Sequence, residues 1–264
     1  MGKYWEEYRE PTKYADSLYH IGGRSSPCWL LESTDGLILI DTGSPKTLYQ
    51  IVDNMRILGY DPRDVRHIIH SHGHIDHIGG TRALVHLSGA KTYIGRGDEK
   101  TVTGERPLSW CPEFKIPLEE PFTPDRVIED GEIITIGNRT FLFVACPGHT
   151  EGTLSIFFNV TDGGKEYRAG MFGGGGLNSM TKEYLDRYCL PYSLREDFIR
   201  SIDKVMDEKV ELHVGNHLGD NGHFDKLARM GGEVNPFIDG TTWKEFLTRR
   251  RAEAIAKFES DPLT

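Results

Sequence analysis

The chain has 264 residues, 38% hydrophobic and 27% charged, with a formal net charge of -9. That length holds one large domain or two small ones, and the composition, with a mean hydropathy of -0.45, is that of a soluble globular protein. An acidic chain matches neither nucleic acid nor an anionic membrane, both of which need basic surfaces, and no stretch approaches the ~20 apolar residues of a membrane span.

Residues 1–16 read as an N-terminal arm or short helix with Tyr4, Trp5 and Tyr8. They lack the apolar run and small-residue cleavage site of a secretory leader. The expectation is a cytoplasmic chain whose four cysteines, Cys28, Cys111, Cys146 and Cys189, stay reduced. Three strands follow, near 18–21, 28–32 and 37–40, with Asp35-Gly36 as a hairpin turn between the last two. Ser44-Pro45 opens a helix, serine as N-cap and proline at the first helical position. Leu48, Ile51, Val52, Met55 and Leu58 recur at helical spacing before Gly59. A strand over 65–70, a helix over about 79–87 and a strand over 91–94 complete an α/β alternation.

Residues 96–130 differ. They hold Pro107, Pro112, Pro117, Pro121 and Pro124 with little periodicity, the mark of an active-site loop insertion. Trp110, Phe114 and Phe122 either line a pocket for an apolar substrate or pack the loop down. Strands return over 127–158, with His149 between two of them, and again over 167–172. Gly173, Gly174, Gly175 and Gly176 then either let the backbone approach something closely, substrate or the second metal, or form a plain flexible loop. Ser193-Leu194-Arg195-Glu196 matches a capping box for a helix to about 206. A final strand over 210–214 leads to His217, and Thr242 caps the last helix, whose Arg249, Arg250 and Arg251 read as a solvated face.

The chain is organised around Ser71-His72-Gly73-His74-Ile75-Asp76-His77. Four metal-binding side chains fall within six residues, after an apolar strand. In an extended segment His72 and His74 point the same way. Asp76 and His77 follow once the chain turns toward a helix, so they can serve a second position beside the first. Imidazole with carboxylate suits zinc, and also iron or manganese.

This H-x-H-x-D-H pattern resembles that of the metallo-β-lactamase superfamily. Leu37-Ile38-Leu39-Ile40-Asp41-Thr42-Gly43 resembles its early strand and turn, and Pro147-Gly148-His149-Thr150-Glu151-Gly152 its next histidine segment. The resemblance runs from about residue 21 to 217. It implies a four-layer αββα sandwich of two mixed β-sheets with helices on the outer faces, a single domain over 1–264. It also implies two zinc ions, one on His72, His74 and His149, the other on Asp76, His77 and His217. His217 is preferred to the nearby His213 and His223 because it follows a strand and sits between Asn216 and a glycine-bearing turn. Asp41 is implied as a support for the ligands, not a ligand. One departure stands out: members with a bridging aspartate carry it after the strand near residue 172, and here no carboxylate follows until Glu183. The pattern is closest to the lactamase subclass with an Asp-His-His second site.

The activity so implied is a zinc-dependent hydrolase. A metal-bound hydroxide would cleave a carboxylic ester, amide, lactam or lactone of a small molecule, with Asp76 as catalytic residue. Asn178, Asn221, Trp110 and Tyr188 are candidate substrate contacts, and Tyr184 and Tyr192 further oxyanion donors. An iron-dependent oxidoreductase of the same fold and a non-catalytic metal-sensing module are the alternatives. The expected partner is a small molecule, with no nucleic acid and no membrane; the oligomeric state is left open.

Overall fold

In the computed structural model, which describes residues 8–116 and 120–263, the strands form two mixed sheets. The first contains β1 (Thr12–Ala15), β2 (Leu18–His20), β3 (Trp29–Ser33), β4 (Gly36–Ile40), β5 (Val65–Ile69), β6 (Lys91–Gly95) and β7 (Arg126–Ile128), in that order. It is antiparallel from β1 to β4 and parallel from β4 to β7. The second has β8 (Ile133–Ile136), β9 (Arg139–Ala145), β10 (Leu154–Asp162) and β11 (Lys165–Phe172) antiparallel, with the short β12 (Leu212–His213) parallel to β11.

Strand alternation sorts the apolar residues into three layers. Ile38, Ile40 and Ile69 of the first sheet face Phe141, Phe143, Ile156 and Phe158 of the second in one core. Their neighbours Leu37, Leu39 and Ile68 point outward, as a period of two requires. They are covered by Ile51 and Met55 of α1 (Leu48–Ile57) and, beyond the single turn α2 (Ile75–Ile78), by Leu84 of α3 (Thr81–Ser88). After α4 (Glu99–Val102) and α5 (Lys182–Arg187), α6 (Leu194–Val205) covers Phe157 and Phe172 with Phe198 and Ile202. The short α7 (His223–Leu227) precedes α8 (Thr242–Ser260), which adds Trp243 and Phe246 to that layer. The result is the expected αββα sandwich. Each of these large side chains contributes roughly 1.5–3 kcal/mol by leaving water. No described helix is long and apolar enough to cross a membrane.

Local expectations failed where tertiary contacts supplied other partners. Within 1–16, Tyr4 and Trp5 lie outside the described residues. Thr12–Ala15 is not arm or helix but β1, an edge strand with Thr12, Tyr14 and Ala15 buried. The capping box at Ser193 is not made. Ser193 is itself helical, at φ -60° and ψ -17°, and its side chain makes no cap bond. Thr242 is the first helical residue instead of the cap. Asp239 takes the role, accepting the Thr241 N–H at 3.1 Å and the Thr242 hydroxyl at 2.8 Å. The 96–130 segment contains α4 and β7, and of the two roles open to Phe122 it takes the packing one, buried with Ile75, Ile78 and Val102. Pro117 lies outside the described residues.

Candidate metal centre

β5 ends at Ile69, and the next residues are held by neighbours on every side. Ser71 accepts the Leu154 N–H at 2.9 Å, Ile75 donates to Ser109 at 2.7 Å, and Gly79 donates to Gly43 at 2.9 Å. A loop fixed this way presents its imidazoles on a rigid mount. His72, His74 and His149 bring one donor atom each within 4.8 Å of one another, and His72, Asp76 and His77 do the same. The two clusters share His72. His149 arrives from the turn between β9 and β10.

Hydrogen bonds fix which ring nitrogens are free. Asp41, fully buried at the end of β4 with φ +60°, accepts the Ser71 N–H at 2.7 Å through Oδ1. Its Oδ2 accepts the Ser71 hydroxyl at 2.7 Å and His77 Nδ1 at 2.8 Å. His77 Nε2 is then left buried with no hydrogen-bond partner. Ser71 Oγ, its proton spent on Asp41, accepts from His72 Nδ1 at 3.1 Å and Asn216 Nδ2 at 3.0 Å. His149 Nδ1 donates to the Gly176 carbonyl at 2.8 Å. Both remaining nitrogens, His72 Nε2 and His149 Nε2, are bare acceptors 3.2 Å apart.

Two lone pairs facing each other at that distance repel unless a cation lies between them. Zn–N bonds of ~2.0–2.1 Å in tetrahedral array separate the nitrogens by about 3.3 Å. The donor set therefore fits a metal. Electrostatics agree: burial, reinforced by the neighbouring histidines, holds His72 and His74 well below the usual imidazole range. Burial takes His149 down to about 4. These rings stay neutral, the form that binds metal. His77 goes the other way. Burial opposes its charge, but the Asp76 and Asp41 carboxylates outweigh it and raise the pKa.

His217 follows β12, its N–H bonded to Asp220 Oδ2 at 3.0 Å. Its ring centroid is 5.1 Å from that of His77, and its Nε2 is 3.9 Å from Asp76 Oδ2. It borders the second cluster without joining it. His213 is buried between Trp243 and Phe246, and His223 Nδ1 is 2.6 Å from the Tyr14 hydroxyl, so neither competes. His70 sits 3.2 Å from the Thr81 hydroxyl and His67 2.9 Å from that of Tyr93.

The candidate substrate contacts separate. Trp110 lies 5.7 Å from His74 and stacks on Tyr184 at 5.5 Å, so it reaches the site. Tyr188 instead donates to Glu113 at 2.6 Å, fastening the Trp110 loop to the end of α5. Tyr192 turns to Asp186. Asn221 is a correction. It is fully buried and donates to the His213 carbonyl at 2.9 Å and the Tyr14 hydroxyl at 3.3 Å, so it holds the His217 loop in place of facing a cavity. Asn178 is exposed. Two glycines of the 173–176 run come close to the imidazole of His149. A Cβ on Gly174 would sit 2.5 Å from His149 Cδ2, and one on Gly176 2.9 Å from Cε1. Cys146, buried 3.1 Å from the Ser155 hydroxyl, faces away from the cluster.

One functional residue was missed. Asp98 is buried beneath both histidine loops. Its Oδ2 accepts the Gly73 N–H and the Thr150 hydroxyl, both at 2.7 Å, and its Oδ1 accepts the Gly152 N–H at 3.1 Å. The available signal was an acid just past a strand with glycines at 95 and 97. Each of those glycines lies where a Cβ would strike the 151–152 backbone.

The fold and donor set define a scaffold built to hold metal between two sheets. The model of the metallo-beta-lactamase superfamily matches residues 21–162, and the chain belongs to that superfamily. The structure superposes with a TM-score of 0.87 on BJP-1, a subclass B3 metallo-beta-lactamase of Bradyrhizobium japonicum, covering 98% of this chain and 97% of that one. At 24% identity, that likeness speaks to fold. The acyl-coenzyme A thioesterase MBLAC2 of Gallus gallus is 24% identical over 73% of this chain and 70% of its own length. An N-acyl homoserine lactonase of Bacillus cereus is 34% identical over 52% of this chain and 59% of its own length.

Proposed function

We propose that this chain is a zinc-dependent hydrolase of a small-molecule ester, amide, lactam or lactone, with two zinc ions per chain. The observation that carries the reading is the pair of donor clusters sharing His72, with the Nε2 atoms of His72 and His149 left as acceptors because each Nδ1 donates to a protein oxygen, and His77 Nε2 buried with no hydrogen-bond partner. His72, His74 and His149 would hold one ion, and Asp76, His77 and His217 the other. Lactamase, lactonase and thioesterase relatives all break an acyl carbon–heteroatom bond, and the same donor arrangement suits that chemistry here.

When bound, zinc supplies Lewis acidity and lowers the pKa of water. The chain's own residues do the rest. Asp41 and the Gly176 carbonyl hold His77 and His149 in one tautomer and orientation. Asp76 borders a cavity of about 180 Å³ lined also by Ser25, Ser44 and Lys46, where its carboxylate can orient a water and take its proton. Trp110, stacked on Tyr184, walls off one side from bulk water. No disulfide joins the described cysteines, three of which are buried; that suits a reducing compartment, and we assign the chain to the cytoplasm.

Elemental analysis of protein purified without added metal or chelator tests this directly. Two zinc per chain, with hydrolysis lost in His72→Ala and in His149→Ala, is the expected result. One zinc would remove the second site from the reading. Substantial iron, or turnover retained in either variant, would overturn it.

A further inference from the structure

The triplet Arg249, Arg250 and Arg251 has the composition of a solvated helix face, but one of the three turns inward. Arg249 is exposed, and Arg251 pairs with Asp203 of α6 at 2.8 Å. The Arg250 side chain is largely buried, and its Nε has no hydrogen-bond partner. It lies against the glycine run, where a Cβ on Gly175 would stand 3.4 Å from that Nε. Nη1 reaches Glu253 at 2.8 Å on the surface. Nη2 points the other way, 3.7 Å from Oδ1 of Asp220, a buried carboxylate. The second oxygen of Asp220 accepts the His217 N–H at 3.0 Å, and the Asp220 N–H donates back to the His217 carbonyl at 2.9 Å. A chain of contacts therefore runs from α8 through Asp220 to the backbone of His217.

Resting on the two-zinc reading above, we infer that Arg250 is a positioning residue for the second metal site, anchoring Asp220 and through it His217 to α8. The other histidines are oriented through their rings, His72 by Ser71, His77 by Asp41 and His149 by Gly176. His217 is placed through its backbone instead. β12 is only two residues long, and the turn that follows carries glycines at 215 and 219, so the sheet alone gives His217 a short mount. A buried carboxylate holds its rotamer best with a cation beside it. Arg250 supplies that charge from α8, a helix about 30 residues further along the chain. Gly175, by lacking a side chain, leaves the stem of Arg250 room to reach inward.

The test titrates zinc into the chelator-treated full chain against competing chelators of graded affinity, giving a dissociation constant for each ion. Arg250→Met keeps the apolar stem and removes the guanidinium. The second ion should bind about tenfold more weakly, with the first unchanged. The sign is decisive: loss of a nearby positive charge by itself tightens a dication, so a weaker second ion reports lost positioning. Arg250→Lys, which still brings a cation toward Asp220, should restore most of the affinity. Asp220→Asn keeps an oxygen for the His217 N–H but offers Arg250 no charge. It should match Arg250→Met, and the double variant should be no weaker than either single one. Arg251→Met removes an ion pair from the same helix and should leave both constants unchanged. If Arg250→Met does not fold, Asp220→Asn decides: a tenfold loss at the second ion supports the inference, and no loss overturns it. A second ion bound as tightly or more tightly by folded Arg250→Met, equal losses at both ions, or additive losses in the double variant would each overturn the positioning role alone. Wild-type protein that binds a single ion would overturn the two-zinc reading and this inference with it.

Discussion

Asp98→Asn tests whether one buried carboxylate ties the two histidine loops together. In the native protein three donors converge on it, from Gly73, Thr150 and Gly152. An asparagine places an NH2 where one carboxylate oxygen stood, so at least one buried donor loses its acceptor, at about 1–3 kcal/mol. The carboxylate also leaves a pH signature. Burial raises its pKa from 3.8 to about 6, against the pull of the Thr150 hydroxyl and the two backbone N–H groups. A raised carboxylate pKa means that the folded state holds the proton more tightly than the unfolded chain. Its contribution to stability is full below about 4 and is lost as pH rises through about 6. Two units at 1.36 kcal/mol each give about 3 kcal/mol. Urea unfolding of chelator-treated protein at pH 4 to 8 reads this. The stability difference, wild type minus Asp98→Asn, should fall by about 3 kcal/mol between about pH 4 and about pH 6 and stay flat above that. Parallel pH profiles for the two proteins would refute the burial argument. With zinc restored, the variant should bind metal 10–100-fold more weakly, as expected when a support beneath the ligands is removed.

Three further outcomes follow from the same geometry. Asp41→Asn removes the acceptor that holds the His77 Nδ1 proton, so zinc affinity should drop roughly 10–100-fold in a chelator competition; unchanged affinity would mean that the Asp41–His77 bond is incidental. Gly174→Ala drives a methyl to 2.5 Å from the His149 ring. It should cost about 1–3 kcal/mol by overpacking and lower zinc occupancy; full occupancy with unchanged stability would show that the ring can yield. In the native protein Cys189, exposed, should be alkylated by iodoacetamide. Cys146, buried and with its thiol pushed up to about 11, should resist until unfolding, as mass spectrometry would show. Rapid native labelling of Cys146 would contradict its burial.

Much of this protein was legible in order of sequence. The unbroken apolar run Leu37-Ile38-Leu39-Ile40 reads as a strand buried on both faces, and its faces do go to two different layers. The spacing of His72, His74, Asp76 and His77 is short enough that local geometry alone brings them together. Resemblance of motifs supplied His149 and His217, and the fold then placed His149 against His72. What the sequence could not decide were contacts between residues far apart in the chain. Asp98 lies 52 residues from Thr150. No local pattern says that its carboxylate will meet two backbone N–H groups from different loops. Asn221 has the chemistry of a substrate contact, and only the packing of β1 against its loop buries it on Tyr14. The glycine run announced a close approach, but its object, the His149 ring, depends on how β9, β10 and β11 pair side by side in the second sheet. Local propensity likewise proposed caps at Ser193 and Thr242, and the tertiary structure found other partners for those backbone groups. Sequence determined the donor atoms and the strand faces, because both depend on spacing along the chain. Tertiary structure decided the tautomers and the supports, because each depends on which distant groups share one buried volume.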